Sequence, residues 1–408
     1  MTKYSTLREI MDISKLNGQA TQAAYLTHYL HNIDSDSKSL YEKEALNYAK
    51  ELGIESDINK VEFDIPFPCS LKNNFTFIDL FAGIGGFRLA AQKNGGRCVF
   101  SSEWDKFAQQ TYDMNFGEMP FGDITQIKAT QIPDHDILFA GFPCQPFSYS
   151  GLNEGFKDKT RGTLFFDIIR ILEAKKPKMF LLENVKGITS HDGGKTLETI
   201  VQSLKKLGYS LSWKILRSYD FGLPQMRERW YCVGSLEEAS FEFPKGYDSK
   251  PKLKDIIDTN DERQELQLSE FEKQRIQYHF RNVTNDVERV KHDSSKYEPN
   301  TKKGKYGVYS FQKKDGSLRF HVGDRAKTQI QEAFYCTLDS YSPTIIANRV
   351  PKLWDVERKL SVIEAQRLQG FPDNFIFPVS ANQSYKQLGN SVSVPVIDKI
   401  LKNLIKFL

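Results

Sequence analysis

The sequence predicts an α/β protein built on a doubly wound, Rossmann-like sheet, and three observations point to it. Between residues 75 and 234, short apolar runs alternate with segments whose apolar residues recur at helical spacing. The runs FTFIDLFAG, RCVFSSEW, HDILFAGF and KMFLLENV are apolar over nearly their whole length, as suits strands buried on both faces. The first run breaks into glycines and opens a helix, the turn at which such sheets receive ligands, beyond the carboxyl ends of their strands.

Taken in order, residues 1–70 read as helical in TLREIMDISKL, ATQAAYLTHYLHN and LYEKEALNYAKELG, and the prolines of IPFPCS mark a linker. They hold seven Lys and Arg against eleven Asp and Glu, a net of −4. That charge argues against a helix-turn-helix DNA reader and favours a helical cap or partner-contact region. Past residue 75 the helices are GFRLAAQKN, DKFAQQTYDMNF, TLFFDIIRILEAKK and GKTLETIVQSLKKLG, with Leu164, Ile168, Ile171 and Leu172 on one face. After Gly234 the rhythm stops. Residues 240–355 are rich in Lys, Asp, Ser and Asn, with short strands YGVYSFQ and SLRFHVG between turn sequences such as KKDG. From Ser361 a helical run, IEAQRLQGF, precedes a loop and a final amphipathic segment, VPVIDKILKNLIKFL. The expected organisation is a helical extension at 1–70, a catalytic domain at 71–238, a smaller irregular domain at 239–380, and a segment at 381–408 that packs back on the catalytic domain.

The chain has 408 residues, 39% hydrophobic and 12% aromatic, enough to build sizeable cores. No apolar run reaches the roughly 18 residues of a membrane span, and the N-terminus lacks the basic-then-apolar order of a signal peptide; a cytoplasmic protein without membrane contact is expected. Cys69, Cys98, Cys144, Cys232 and Cys336 are scattered and never in CxxC spacing, which argues against a disulfide framework and a zinc cluster, and no metal is expected. Cys98 in RCVF and Cys232 in WYCVG lie in strand-like runs and read as small core residues. The net charge of +4 is unevenly spread: residues 273–330 hold fourteen Lys and Arg against six Asp and Glu. Such a segment suits a polyanion or a solvated basic surface equally.

The chemistry concentrates at the ends of the strands. In IDLFAGIGGFRLA, Gly83, Gly85 and Gly86 let backbone approach a ligand and open a helix N-terminus. Dinucleotides, nucleotides and S-adenosylmethionine all use such a turn, although the GxGG spacing departs from the GxGxxG of a dehydrogenase. One strand later, Glu103 in SSEWD is placed to accept hydrogen bonds from ribose hydroxyls. Trp104 offers a flat face to an adenine, and Asp123 in FGDI an acceptor for its amino group. Each alone reads more readily as a helix cap or core aromatic; the ordered set points to an adenosine-type ligand.

Cys144 follows the third strand in GFPCQPFS, where Pro143 and Pro146 restrict φ and hold the thiol in a fixed direction. Its thiolate is a competent nucleophile once its pKa is lowered or a proton acceptor is near. LLENV ends a further strand on Glu183, whose desolvation would raise its pKa and supply a general acid; a structural pair with Lys186 is the alternative. LPQMRERWY sets Gln225, Arg227 and Arg229 at alternate positions, so that one face presents an amide and two guanidiniums to a planar polar group or phosphate.

DLFAGIGGFR, GFPCQPFS, ENV, QMRER, RLQGFPDNF and QLGNSVSVPV, in this order, resemble the DNA (cytosine-5) methyltransferase family, especially its bacterial restriction-modification members. The resemblance covers residues 75–235 and 358–408. It implies an S-adenosylmethionine-dependent methyltransferase sheet with an irregular target-recognition domain inserted before the C-terminal helix. It further implies Cys144 as the nucleophile on C6 of cytosine, Glu183 as the group that holds or protonates N3, and Arg229, with Arg227 nearby, as stabilisers of the base oxygen. Phe81, Gly83, Gly85, Glu103, Trp104, Asp123, Ile124, Pro143, Asn390, Ser391 and Val392 are the implied cofactor-binding residues. The target cytosine is then flipped from the duplex, and the basic segment anchors phosphates. Gln225 is a DNA-binding candidate, as are Arg319, Arg325 and Lys327 on charge alone. Double-stranded DNA is the expected partner of a monomer, with a cognate restriction endonuclease that acts on the same site without direct contact.

Three other readings remain at this point. An RNA cytosine-5 methyltransferase shares the motifs, but the long variable region suits a sequence-reading domain. A non-catalytic DNA-binding relative would not need Cys144, Glu183 and Arg229 together. A nicotinamide oxidoreductase explains the glycines and Glu103 and leaves Cys144 and QMRER without a role.

Overall fold

The computed structural model describes residues 20–60, 64–69, 73–143, 164–237, 241–270, 273, 306–312, 318–324, 335–336, 338–339, 341–347, 350–353 and 355–408. Its first strands are β1 (Phe75–Leu80), β2 (Gly96–Ser102), β3 (Ile137–Gly141), β4 (Met179–Val185), β5 (Ser210–Arg217), β6 (Gln225–Met226) and β7 (Glu228–Ser235). Six of these form the central sheet in the order β2-β1-β3-β4-β7-β5. β1 is parallel to β2 and β3, and β3 to β4, whereas β7 runs antiparallel to both β4 and β5. The α/β class read from the apolar runs is thus observed, with one reversed strand. β5 escaped the sequence reading because SLSWKILR is mostly half-buried or exposed and is not a continuous apolar run.

Helices cover both faces. Along β1, Phe75 and Phe77 pack into one core, and Ile78 and Leu80 into the other, the two-residue period of an extended chain. The Ile78 face is covered by α1 (Ala20–His31), α2 (Lys38–Glu51), α5 (Leu164–Lys175) and α6 (Lys195–Lys206). The Phe77 face is covered by α3 (Gly86–Lys93), α4 (Lys106–Phe116), α7 (Val362–Gln369), α8 (Ala381–Asn390) and α9 (Val394–Leu404). Local chemistry starts these helices where the sheet needs them. The Asp105 carboxylate accepts from Phe107 N and Ala108 N to open α4, and Ser361 and Glu364 form a capping box on α7. α9 buries Val396, Ile397, Ile400 and Leu401 beside α3, where Asp398 accepts from Asn94 (2.8 Å) and Lys93 (3.2 Å).

A second sheet has the order β13-β12-β10-β9-β8. Its strands are β8 (Tyr306–Gln312), β9 (Leu318–Asp324), β10 (Tyr335–Cys336), β12 (Lys352–Leu353) and β13 (Arg358–Lys359). β8 and β9 pair antiparallel from Tyr306 opposite Asp324 to Gln312 opposite Leu318, so both strands read from YGVYSFQ and SLRFHVG are present. The two-residue β11 (Ser342–Pro343) pairs parallel with β6 instead, in a separate two-stranded sheet. Cys98 and Cys232 are buried in β2 and β7, as expected of small core residues.

Candidate active site

The carboxyl ends of β1, β2, β3 and β4 open on one cleft of about 610 Å³. β1 is followed by Phe81 at φ 54° and Gly83 at φ 56°, both left-handed, which turns the chain sharply before α3 begins. A Cβ added at Gly83 would meet no atom within 4 Å, since this glycine lines the open cleft. Gly85 differs: its Cβ would lie 2.2 Å from the Phe116 ring, so its smallness serves packing under α3. Opposite, the buried carboxylate of Glu103 accepts from Gly83 N through Oε2 (2.8 Å) and from Asp105 N through Oε1 (2.8 Å). Burial raises its pKa against these two bonds. Each oxygen keeps a lone pair for a further donor. Trp104 is 79% exposed at the rim. Asp123 spends Oδ1 on Thr125 N (3.0 Å), and Ile124 is buried beside it.

The other end of the cleft is polar and charged. Across the antiparallel β4 and β7 pair, Glu183 faces Tyr231, so Arg229, two residues away, shares its face. Arg229 Nε lies 3.1 Å from Glu183 Oε1, at ion-pair distance without the alignment of a hydrogen bond. Burial pushes the Glu183 carboxyl up, while Arg229 and Arg227 pull it down. Lys186, the alternative partner, pairs with Glu228 (3.0 Å). Asn184 donates from Nδ2 to Phe142 O (2.9 Å) and accepts from Val185 N, which pins the end of β3 against β4.

A family model for C-5 cytosine-specific DNA methylase matches residues 75–406. The chain belongs to this family. The methylase is 44% identical to the type II methyltransferase M.HaeII of Haemophilus aegyptius over 335 residues, 81% of this chain and 93% of that protein. It is 41% identical to the type II methyltransferase M.HhaI of Haemophilus parahaemolyticus, over 80% and 93% of the two chains. Among solved structures, the Schizosaccharomyces pombe Dnmt2 methyltransferase superposes with a TM-score of 0.57 at 18% identity, covering 81% of this chain and 98% of that one. That likeness shows the fold alone. The sequence resemblance is thereby borne out, and the chain is a DNA (cytosine-5) methyltransferase, a family that implies S-adenosylmethionine as methyl donor.

The methylase brings most of the sequence-read residues together. Phe81, Gly83, Glu103, Trp104, Asp123, Ile124, Pro143, Asn390 and Ser391 line the cleft with Glu183, Arg227 and Arg229. Gly85 and Val392 do not line it; Gly85 packs on Phe116, and Val392 is buried in the core. Gln225 is corrected from DNA contact to internal brace. It is fully buried, donates to Leu368 O (2.9 Å) and accepts from Ile345 N (2.9 Å), leaving no amide for a base edge. Arg227 lines the cleft as well, but most of its guanidinium is spent inside the fold: it donates to Ile345 O, Gly389 O and Ser391 O and so holds the end of α8, while Nε has no hydrogen-bond partner among the described residues. Cys144, Arg325 and Lys327 lie outside the described residues, and Arg319 belongs to β9.

Two residues were missed. Asn184, next to Glu183 in LLENV, has no role that the sequence pattern shows, yet its amide holds Phe142 O at the end of β3. Lys386, in α8, lines the cleft and pairs with Asp105 (2.9 Å), in a stretch whose sequence predicts a loop. Ser380, the residue just before ANQSYKQLGN, is the available signal: it caps the helix by accepting from Gln383 N.

Proposed function

We propose that this chain methylates C5 of a flipped cytosine within a specific duplex DNA sequence, through a covalent bond between Cys144 and C6, and so protects host DNA in a restriction-modification system. The observation that carries the proposal is the Glu183 and Arg229 pair, which shares one cleft with the Glu103 and Gly83 turn. A base at the first and a methyl donor at the second would lie side by side. The residues fit S-adenosylmethionine: Glu103 retains acceptor capacity for ribose hydroxyls, Trp104 offers an exposed ring to the adenine, and Gly83 leaves open space. When bound, that group supplies an electrophilic methyl on a sulfonium.

The chain's own residues prepare the base. Pro143 ends the described part of the β3 loop in the cleft, and Cys144 is the next residue. Its thiolate adds to C6, breaking the C5–C6 double bond and moving electron density toward C5 and N3. Glu183, whose carboxyl is raised by burial, gives or shares its proton at N3 so that no negative charge builds on the ring. Arg229, held beside Glu183, would steady the base oxygen. C5 takes the methyl, the C5 proton leaves to a base, and its electron pair restores the double bond as the Cys144 sulfur departs. The basic region 273–330 would anchor phosphates around the flipped nucleotide, and a nuclease cutting the same sequence is the implied companion.

A covalent trap tests the mechanism. With duplex DNA carrying 5-fluorocytosine and S-adenosylmethionine, the protein should form an adduct that survives denaturation, and Cys144→Ser should form none. A wild type that neither forms the adduct nor methylates any duplex, but does methylate transfer RNA, would overturn the DNA assignment. Bisulfite sequencing of DNA from expressing cells then reads out the target sequence.

A further inference from the structure

Residues 20–51 precede the family match, which begins at residue 75, yet they pack in one core with Val99, Phe100, Met119, Phe121 and Ile124, behind the cleft lining. The contact runs through Phe121, two residues before the cleft-lining Asp123. Its ring is boxed by Tyr25 (centroids 5.0 Å apart), His28 (4.6 Å), Tyr41 (6.1 Å) and Phe100 (5.2 Å). Three of these walls come from α1 and α2.

The same helices grip the backbone on either side. Thr27 Oγ1 accepts from Met119 N (3.0 Å), His28 Nε2 accepts from Ser101 N (3.1 Å), and Tyr41 donates to Val99 O (2.6 Å). His28 Nδ1 lies 2.8 Å from Ala24 O, which sets the neutral tautomer with its proton on Nδ1. From there a short ladder leads into the cleft. Phe121 N donates to Ser101 O (2.9 Å), Glu103 N donates to Phe121 O (2.8 Å), and Ser102 Oγ donates to Gly122 O (2.8 Å). A displacement of Phe121 therefore moves Glu103 and Asp123 with it.

We infer that Tyr25, Thr27, His28 and Tyr41 are positioning residues for the methyl-donor site: they hold segment 119–125 in the geometry that receives the adenosine end of S-adenosylmethionine, and so set its affinity without touching it. The inference rests on the cofactor placement proposed above.

The test uses the full chain, with S-adenosylmethionine binding by calorimetry and steady-state methylation of duplex DNA. Thr27→Val keeps the shape and leaves Met119 N without its acceptor in a buried place, so the dissociation constant and KM for S-adenosylmethionine should rise about ten-fold. KM for DNA, and kcat at saturating cofactor, should stay within about two-fold of wild type, and Thr27→Ser should restore binding. Tyr25→Ala, at a half-buried position less exposed to folding failure, should shift affinity the same way, and Tyr25→Phe should not. Wild-type cofactor affinity in both Thr27→Val and Tyr25→Ala overturns the inference, as does an equal loss of kcat and of both affinities that follows the folded fraction by circular dichroism. A wild type that binds no S-adenosylmethionine sinks the proposed function and this inference with it. A wild type that binds, beside variants that bind equally well, sinks this inference alone.

Discussion

Glu183 and Arg229 face each other at 3.1 Å with side chains only 10% and 12% exposed, so the carboxyl is desolvated and opposed by a cation at once. Burial is the larger influence and raises its pKa; the two arginines partly reverse it. Arg229→Ala removes one opposing charge, so the carboxyl should hold its proton to still higher pH. In single-turnover methylation, the limb of the pH–rate profile that follows Glu183 should move to higher pH in Arg229→Ala. It should vanish in Glu183→Gln, with a rate loss of roughly 10²–10⁴-fold. An unmoved limb in Arg229→Ala would assign it to another group.

Arg227 distinguishes a brace from a ligand contact. Its guanidinium satisfies carbonyls of Ile345, Gly389 and Ser391, and burial lowers its pKa to about 9. Arg227→Met should leave those buried carbonyls unpaired, at about 1–3 kcal/mol each before relaxation, and lower the melting temperature by several degrees. Thermal unfolding checks this; a full loss of methylation with an unchanged melting temperature would return Arg227 to the substrate.

The two glycines of the turn should separate in the same experiment. Gly85→Ala forces a methyl to within 2.2 Å of the Phe116 ring at φ 85°, and should destabilise the fold strongly. Gly83→Ala meets open space and carries only the left-handed cost of about 1–2 kcal/mol. It should instead weaken S-adenosylmethionine binding, measured by calorimetry below the melting transition. A Gly83→Ala protein with native affinity would remove this glycine from the site.

Acid should loosen the protein through its buried histidines. His31 and His135 are held at about 4 against an ordinary 6.5, chiefly by burial, and His28 is lowered for the same reason. The native state keeps these rings neutral while the unfolded chain takes up protons. Their contribution is thus complete above pH 6.5 and is lost as pH falls from 6.5 toward 4. Thermal melts across that window should show a steady decline, shallower in His135→Gln.

Much of the site was legible before any fold was known. The end of an apolar strand followed by GxGG places backbone at a ligand, and an acid at the end of the next strand lands across from it; Gly83 and Glu103 do meet, through a hydrogen bond of 2.8 Å. LLENV likewise delivers Glu183 to the cleft, because a strand's end is set by its own sequence. Less legible were residues whose partners lie far along the chain. Gln225 and Arg229 alternate in LPQMRERWY like exposed neighbours on one face, but β6 pairs with β11, and Ile345, 120 residues on, takes the Gln225 oxygen.

What the sequence by itself determined is the alternation of β1 to β4 with helices α3 to α6, the turn with its glycines, and the family, since each rests on short-range periodicity or contiguous motifs. What tertiary structure decided is which polar groups stay available. Arg229 keeps its guanidinium beside Glu183, Arg227 spends its own on three carbonyls, and α1 and α2 close around Phe121. The physical reason is that a buried donor or acceptor must find a partner wherever the packed chain supplies one. That supply depends on three-dimensional neighbours, which no local pattern records.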